Sequence, residues 1–358
     1  MRTHTPALPA GLALLAALPL VWFAARQNPL ALATAHGTAE TADYKITGPY
    51  THKNLSVFLL HGKQPEAATA PRAGGKTFLT LSEAITQKKV VVYETRTVNT
   101  LMIENLSGEE VFVQSGDIVK GGQQDRMLAT DLILPARSGK VSIAAFCVEQ
   151  GRWSKRGAEA VTRFHSANDR AASKDLKLAA RRSKSQGEVW AKVAEAQAKL
   201  GANVGAPVTA PQSASSLQLT LENERVRATT DEYVRALAGI VSQHPDAVGY
   251  AFAINGRVNS ADVYSSPALF SKLWPGLLKA SAVEAVSELR AGRPESARVR
   301  ADDVRSFIEE SESGAAEDRD VNPRVQLRTR ETQSNIVFET RDRARKSAWV
   351  HRSYINKK

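Results

Sequence analysis

The stretch from Gly116 to Trp153 constrains the fold more than any other part of the chain. Leu132 to Leu134 and Val141 to Val148 are apolar runs separated by Pro135-Ala136-Arg137-Ser138-Gly139-Lys140. That pattern predicts an antiparallel hairpin. With Leu134 opposite Val141, Arg126 falls opposite Glu149 and Gln124 opposite Gly151. In the second run Val141, Ile143, Ala145, Cys147 and Glu149 share one face, and Ala144, Phe146 and Val148 share the other. Both faces are apolar, so this strand is expected to be covered on both sides. Glu149 then ends a buried row, where an ionised carboxylate needs a partner. Arg126 and Arg152 are the candidates. Gly121-Gly122 suits a bulge, a tight turn or close approach of a ligand to the backbone.

Polar residues crowd both ends of these runs. Asp117, Gln123, Gln124, Asp125, Arg126, Glu149 and Arg152 form the candidate ligand-binding set. They read either as a polar pocket or as a buried network that pins the hairpin register. Glu149, Asp125 and Cys147 are the candidates for a catalytic role. Cys147 is the single cysteine, so the chain has no internal disulfide. It lies in an apolar run without an adjacent base, and a buried structural thiol is expected. His165 is the one histidine that could fold back on it. The seven histidines show no metal-ligand spacing, and neither a phosphate-binding glycine loop nor a Gly-x-Ser-x-Gly elbow is present. No cofactor and no metal is implied.

Gly121-Gly122-Gln123-Gln124-Asp125-Arg126 followed by Cys147-Val148-Glu149-Gln150-Gly151-Arg152-Trp153 resembles the bacterial domain named for its association with ADP-ribosylglycohydrolase (ARG) and rhodanese-phosphatase-superfamily proteins. Further matches are Leu81-Ser82-Glu83-Ala84 before Val90-Val91-Val92-Tyr93-Glu94, Gln186-Gly187-Glu188-Val189-Trp190, and Val248-Gly249-Tyr250 through Phe270 to Leu273-Trp274. The resemblance covers about residues 50 to 290, the size of a globular domain. It implies an architecture and a site and names no reaction. The family name places it beside ADP-ribose chemistry by association only.

The first residues bear on compartment. Arg2 and His4 precede an apolar run from Ala7 to Ala25, and Ala33-Thr34-Ala35 offers a small-residue cleavage site. This is a secretory signal pattern, with cleavage expected after Ala35 and export to the periplasm or beyond. The run is also long enough for the alternative, an uncleaved inner-membrane anchor at residues 7–25.

Residues 36–50 read as a linker, and residues 51–300 as one globular α+β domain. Its N-terminal half is expected to be an antiparallel β-sandwich or barrel-like. Its second half is expected to be helix-rich with hairpins. Ser185, Thr229, Ser266 and Ser281 read as helix starts, with Gly201 and His244-Pro245 as stops, and Asn255-Gly256 as a hairpin turn. Residues 301–321 read as an acidic mobile linker and 322–358 as a basic hairpin or tail. Residues 152–184 carry ten Lys/Arg against Glu159, Asp169 and Asp175. This segment reads as an anion-binding patch or a solvated loop. Few aromatics are present for base stacking, so nucleic acid is not an expected partner. The basic tail could meet an anionic membrane surface, or form an ordinary edge hairpin. No partner protein is named by the sequence.

Two functions fit. One is a binding module for a small anionic or amide-bearing ligand, since arginine suits bidentate recognition of carboxylate and phosphate. The other is a hydrolase for a nucleotide- or ADP-ribose-like substrate, with Glu149 or Asp125 as acid/base. The lack of a visible nucleophile or metal set favours the first.

Overall fold

The computed structural model describes residues 1, 37–63, 77–95, 97–154, 156–157, 159, 164–170, 173–289 and 298–358. The chain divides into residues 1–31 and 32–358. The signal or anchor segment lies outside the described residues, as does the Ala33-Thr34-Ala35 cleavage site.

In chain order the first strands are β1 (Gly37–Glu40), β2 (Tyr44–His52), β3 (Leu55–Gly62) and β4 (Leu79–Thr80). Helix α1 (Leu81–Thr86) follows, then β5 (Val90–Tyr93), β6 (Thr100–Asn105), β7 (Val111–Val113), β8 (Asp117–Gly121), β9 (Arg126–Leu128), β10 (Leu132–Leu134), β11 (Gly139–Cys147) and β12 (Phe164–Arg170). Next come α2 (Lys174–Leu178) with a π turn at Ala179–Ser183, α3 (Gln186–Val204), α4 (Leu217–Leu221) and α5 (Glu224–Leu237). Strands β13 (Ala247–Ile254) and β14 (Arg257–Tyr264) precede α6 (Pro267–Ser287) and α7 (Ala301–Glu312). The last strands are β15 (Ala315–Asp320), β16 (Val325–Glu331), β17 (Asn335–Asp342) and β18 (Ala348–Asn356).

A nine-stranded antiparallel sheet runs β1-β2-β3-β13-β14-β18-β17-β16-β15. Its central strands are apolar on both faces because both are covered. Leu55, Val57 and Leu59 of β3 join a core with Tyr250, Phe252, Phe270 and Trp274, whereas Phe58 and Leu60 join one with Val304 and Phe307 of α7. The other sheets are β12-β8-β9-β11-β6-β5 and the small β10-β7-β4, in which β4 and β7 are parallel. The fold is α+β with a sheet-rich N-terminal half. The second half is not helix-dominated, since it carries β13 to β18 as well as helices.

Local signals read well. Asn255 and Gly256 have φ of 50° and 76°, the positive values a type I′ turn requires at both central residues. Ser185 and Ser266 accept backbone N–H groups at the starts of α3 and α6. Other boundaries moved. Asn223, not Thr229, caps α5; α3 continues past Gly201 to a left-handed Gly205; and Ser281 lies inside α6.

The expected hairpin does not form. β10 pairs with β7, while β11 pairs first with β6 and then, from Ala145 to Cys147, with β9. The chain turns a corner between β9 and β10, where Asp131 accepts the Ser115 N–H at 2.7 Å. Arg126 therefore lies opposite Cys147, not Glu149.

Residues 36–50, expected as a linker, contain β1 and most of β2. Tyr44, Ile46 and Tyr50 are buried on β2 while Lys45 is exposed, a period-2 signal concealed by short polar neighbours. Residues 301–321, expected as a mobile acidic linker, contain α7 and the exposed edge strand β15. Val304, Phe307, Ile308 and Ser311 bury one stripe of α7, so its acids are simply the solvated face. The basic tail is no edge hairpin either. β18 sits between β14 and β17, and the tail arginines meet acids: Arg324 with Asp342 and Glu110, Arg352 with Glu339 and Asp43.

Candidate functional site

The turn between β8 and β9 organises the predicted site. Gly121 and Gly122 have φ of 118° and 55°. A Cβ on Gly122 would stand 2.4 Å from the Phe164 ring and 2.8 Å from a Glu94 carboxylate oxygen, so only glycine fits. The turn folds back on itself, and the Gly121 N–H donates to Asp125 Oδ1 at 3.0 Å.

Asp125 and Glu149 are fully buried. Arg156 donates to both oxygens of Asp125 at 3.0 Å, and Ser216 Oγ adds a bond of 3.0 Å to Oδ2. Glu149 Oε1 accepts from Arg152 Nε at 2.7 Å and from Arg156 Nη1 at 3.1 Å, and Oε2 accepts the Asp125 N–H at 3.0 Å. Arg152 also donates to the carbonyl oxygens of Gly121, Gly122 and Ser154. All four carboxylate oxygens are thus engaged. Burial pushes the Asp125 carboxyl above its usual range, with Arg156 pulling against it. Burial also opposes ionisation of Glu149, but hydrogen bonds from Arg152 and Ser213 outweigh it and hold that carboxyl below its usual range.

The predicted Arg126–Glu149 pair is replaced by Arg126–Glu94. Arg126 Nη2 lies 3.3 Å from Glu94 Oε1, and the Gln123 N–H donates to Glu94 Oε2 at 3.1 Å. Arg126 Nη1 donates to the Gln124 carbonyl at 2.9 Å. Arg126 Nε and Gln124 Nε2, both buried, have no hydrogen-bond partner among the described residues. Asp117 stands apart: its carboxylate accepts the Gln114 N–H at the other end of β8, about 13 Å along the strand.

Glu94 and Arg156 were missed from the sequence. Glu94 follows the buried Val90 and Val92 on one face of β5 just as Glu149 ends its own row, and that repeated pattern was the available signal. Arg156 was hidden in the basic segment. Cys147 is buried, and burial pushes its thiol up to about 11 despite the pull of Arg126. Its N–H and C=O are both held by the Gln186 side chain, at 2.9 and 2.8 Å. His165 is exposed on β12.

A second buried polar seam runs under α2 and α6. His351 Nδ1 lies 2.7 Å from Asp131 Oδ2, and its Nε2 lies 3.1 Å from Asp262 Oδ1. The ring stacks on Tyr264 at 4.7 Å. Burial opposes charging of His351, but the two aspartates outweigh it and raise its pKa. Both aspartates are held well below the usual carboxylate range despite burial, by His351 at Asp131 and by Lys177 and His351 at Asp262. Farther along, Glu284 Oε1 accepts the Lys174 N–H and Asn259 Nδ2, each at 3.0 Å. Burial pushes the Glu284 carboxyl up.

Asn259 is the extra residue of a β-bulge, because Phe252 pairs with Ser260 and Ala253 with Val258. Among the described residues Asn259 Oδ1, Ser260 Oγ and Asp262 Oδ2 have no hydrogen-bond partner; Lys177 Nζ lies 4.0 Å from the last. Among the described residues of the basic segment, several cations face carboxylates of this chain. Arg152 and Arg156 serve the first cluster, and Lys177 faces the buried acids of the second.

Glu284 and Asn259 also line a cleft of about 470 Å³. Its rim includes Lys192, Lys199, Arg257 and Lys357. Lys192 and Lys199 share Glu195, and Lys199 also reaches Glu288 at 2.6 Å. Arg257 has no carboxylate partner among the described residues. Glu284 was visible as a lone acid in Ala282-Val283-Glu284-Ala285-Val286; Asn259 gave no signal.

Among the described residues no group of three or more His, Cys, Asp or Glu could hold a metal ion, and no helix is long and apolar enough to cross a membrane. A family model described as "ARG and Rhodanese-Phosphatase-superfamily-associated Protein domain" matches residues 43–355. No curated protein and no solved structure matches the chain.

Proposed function

The chain belongs to the family of ARG and rhodanese-phosphatase-superfamily-associated protein domains, a family of unknown function, and from that premise we propose that it binds a small anionic ligand in the cleft beside β14 and α6. One observation carries this reading. The cleft is lined by six Lys or Arg residues against four carboxylates, and its floor holds the buried Glu284 and Asn259. A concave site with an excess of one sign concentrates ligands of the other sign, and a few placed polar groups set their orientation.

The Gln/Arg/Glu cluster of the β8–β9 turn supports the fold under this reading. Its carboxylates are enclosed and each of its guanidiniums already donates to this chain's own oxygens, while Arg126 Nε and Gln124 Nε2 are buried donors without a partner among the described residues. The hydrolase reading draws on the opposite shifts of Asp125 and Glu149, a pattern that separates an acid from a base. Full burial of both works against it, since substrate and water need access. The export reading stands beside the binding reading on the basic start, the apolar run and Ala33-Thr34-Ala35. Intact mass of the envelope-purified protein checks it: a chain starting at His36 supports cleavage, and one starting at Met1 supports the anchor.

Calorimetric titration with inorganic phosphate and with short dicarboxylates tests the binding reading. Binding that weakens with added salt, and by about tenfold in a Lys199→Gln/Arg257→Gln double variant, is the expected result. No detectable anion binding, or binding unchanged in the variant, overturns it.

A further inference from the structure

The rim of the cleft accounts for an anion, but its floor has a different chemistry. Asn259 is pushed toward α6 by the bulge in β14, and its amide nitrogen is already donated to Glu284 Oε1 at 3.0 Å. That bond orients the amide and leaves Oδ1 as a buried acceptor without a partner among the described residues. Glu284 beside it is 4% exposed and Asn259 7%, so both are held at the bottom of the cleft. A floor made of a carboxylate and an amide oxygen accepts hydrogen bonds. A second anionic group placed there would meet two acceptors and repulsion, whereas an N–H group would fill the open acceptor.

We propose that the cleft selects ligands with an anionic group at one end and a nitrogen donor, amine or amide, at the other. The nitrogen is seated on Asn259 Oδ1 and Glu284, and the anion lies among the rim cations. This rests on the binding reading above and adds the polarity of the ligand. The bulge has a clear role in it. A regular strand would carry Asn259 on alternate pleats, away from one of its two neighbours, whereas the extra residue lets Asn259 and Ser260 depart from that alternation. The nearby cations do not fill the open acceptor. The Lys174 backbone N–H is already donated to Glu284 and its ammonium to an oxygen of Lys358, and Lys177 Nζ lies 4.0 Å from Asp262.

Three probes of nearly equal length separate the possibilities: glutarate, glutaramate and 5-aminopentanoate, titrated calorimetrically against the full chain. Both nitrogen-terminated probes are expected to bind at least about tenfold tighter than glutarate, the scale of one hydrogen bond to a charged or buried group. Glu284→Gln keeps the shape and an acceptor oxygen but loses the charge. It should reduce the amine preference by about tenfold and leave the amide preference largely intact. Asn259→Ala should weaken both, and it provides a second route if Glu284→Gln does not fold by circular dichroism. Glutarate binding as tightly as the nitrogen probes, or preferences unchanged in both variants, overturns the proposal while leaving anion binding in place. If none of the probes binds and phosphate does not either, the binding reading fails and this inference falls with it.

Discussion

Two buried polar regions of this protein look alike in composition and differ in which groups they leave open: among the described residues the β8–β9 region leaves only donors, Arg126 Nε and Gln124 Nε2, without partners, whereas the seam under α2 and α6 leaves acceptors. At the β8–β9 turn, Asp125 and Glu149 share Arg152 and Arg156, and each of their four oxygens accepts at least one hydrogen bond. Under α2 and α6, Asp131 and Asp262 are matched by His351 and Lys177 and Glu284 by the Lys174 backbone N–H, yet Asn259 Oδ1, Ser260 Oγ and Asp262 Oδ2 are left without partners among the described residues. Leaving a buried acceptor unfilled costs about 1–3 kcal/mol. A region that satisfies its carboxylates is doing the work of a fastener. A region that leaves acceptors open beside a cleft is where the binding proposal is put to the test.

The largest effect should come from breaking the completed region. Glu149→Ala leaves Arg152 and Arg156 short of an acceptor in a fully enclosed site. Removing one partner of a buried pair costs on the order of 3–5 kcal/mol. Urea denaturation at neutral pH measures it; a cost near that of an exposed residue would mean that the cluster is not a fastener.

Next in size is the coupling of Arg126. Single Arg126→Ala and Glu94→Ala variants and their double should show an interaction energy of about 1–3 kcal/mol, with the double less damaging than the sum. The same cycle run with Glu149 should give a smaller value, because the 3.3 Å ion pair is with Glu94. A larger coupling to Glu149 would restore the pairing read from the sequence.

That misreading shows what the sequence could and could not carry. Asn255-Gly256 and the Ser266-Pro267 start of α6 were legible because both are decided within a few residues. The pairing of β11 was not, because one nine-residue strand serves two partners in succession and the corner at Asp131 is held by distant groups. The residues of the first cluster were legible as a set, since Gly-Gly-Gln-Gln-Asp-Arg and Cys-Val-Glu-Gln-Gly-Arg-Trp do converge. Their partners were not, because Arg156 and Lys177 read as surplus surface charge until the carboxylates they face are placed. The cleft was invisible for the same reason: Asn259 acquires its position from a bulge, and His351 and Glu284 are brought to the seam from β18 and α6 by tertiary packing alone.

The pH dependence of stability sharpens the comparison on the side of the seam. Although burial opposes its charging, Asp131 and Asp262 raise the folded pKa of His351 above the ordinary histidine value of about 6.5. Its contribution is therefore full below about 6.5 and lost as pH rises through the higher folded value. Asp131 and Asp262 are depressed, so their contributions are full above the ordinary carboxylate range and lost as pH falls through their folded values. Unfolding free energy measured by urea should thus decline on the alkaline side in the parent and flatten in His351→Gln. A parent profile that keeps rising with pH above neutrality, unchanged by the substitution, would show that His351 is neutral in the fold.

The smallest effect is the most telling. Asn259→Ala removes one hydrogen bond to Glu284, a loss of stability, and also removes a buried acceptor that has no partner, a gain. The two terms are of similar size, each about 1–3 kcal/mol, so they should nearly cancel and leave the free energy of unfolding within about 1 kcal/mol of the parent. A group whose removal barely changes stability, while ligand affinity falls, belongs to binding and not to the frame. The contrast with Glu149→Ala, measured in the same urea series, is what separates the two regions. If Asn259→Ala instead costs as much as Glu149→Ala, the open acceptor is satisfied in solution by something that is part of the fold, such as an enclosed water. The seam would then be a second fastener, and the cleft above it would lose its floor.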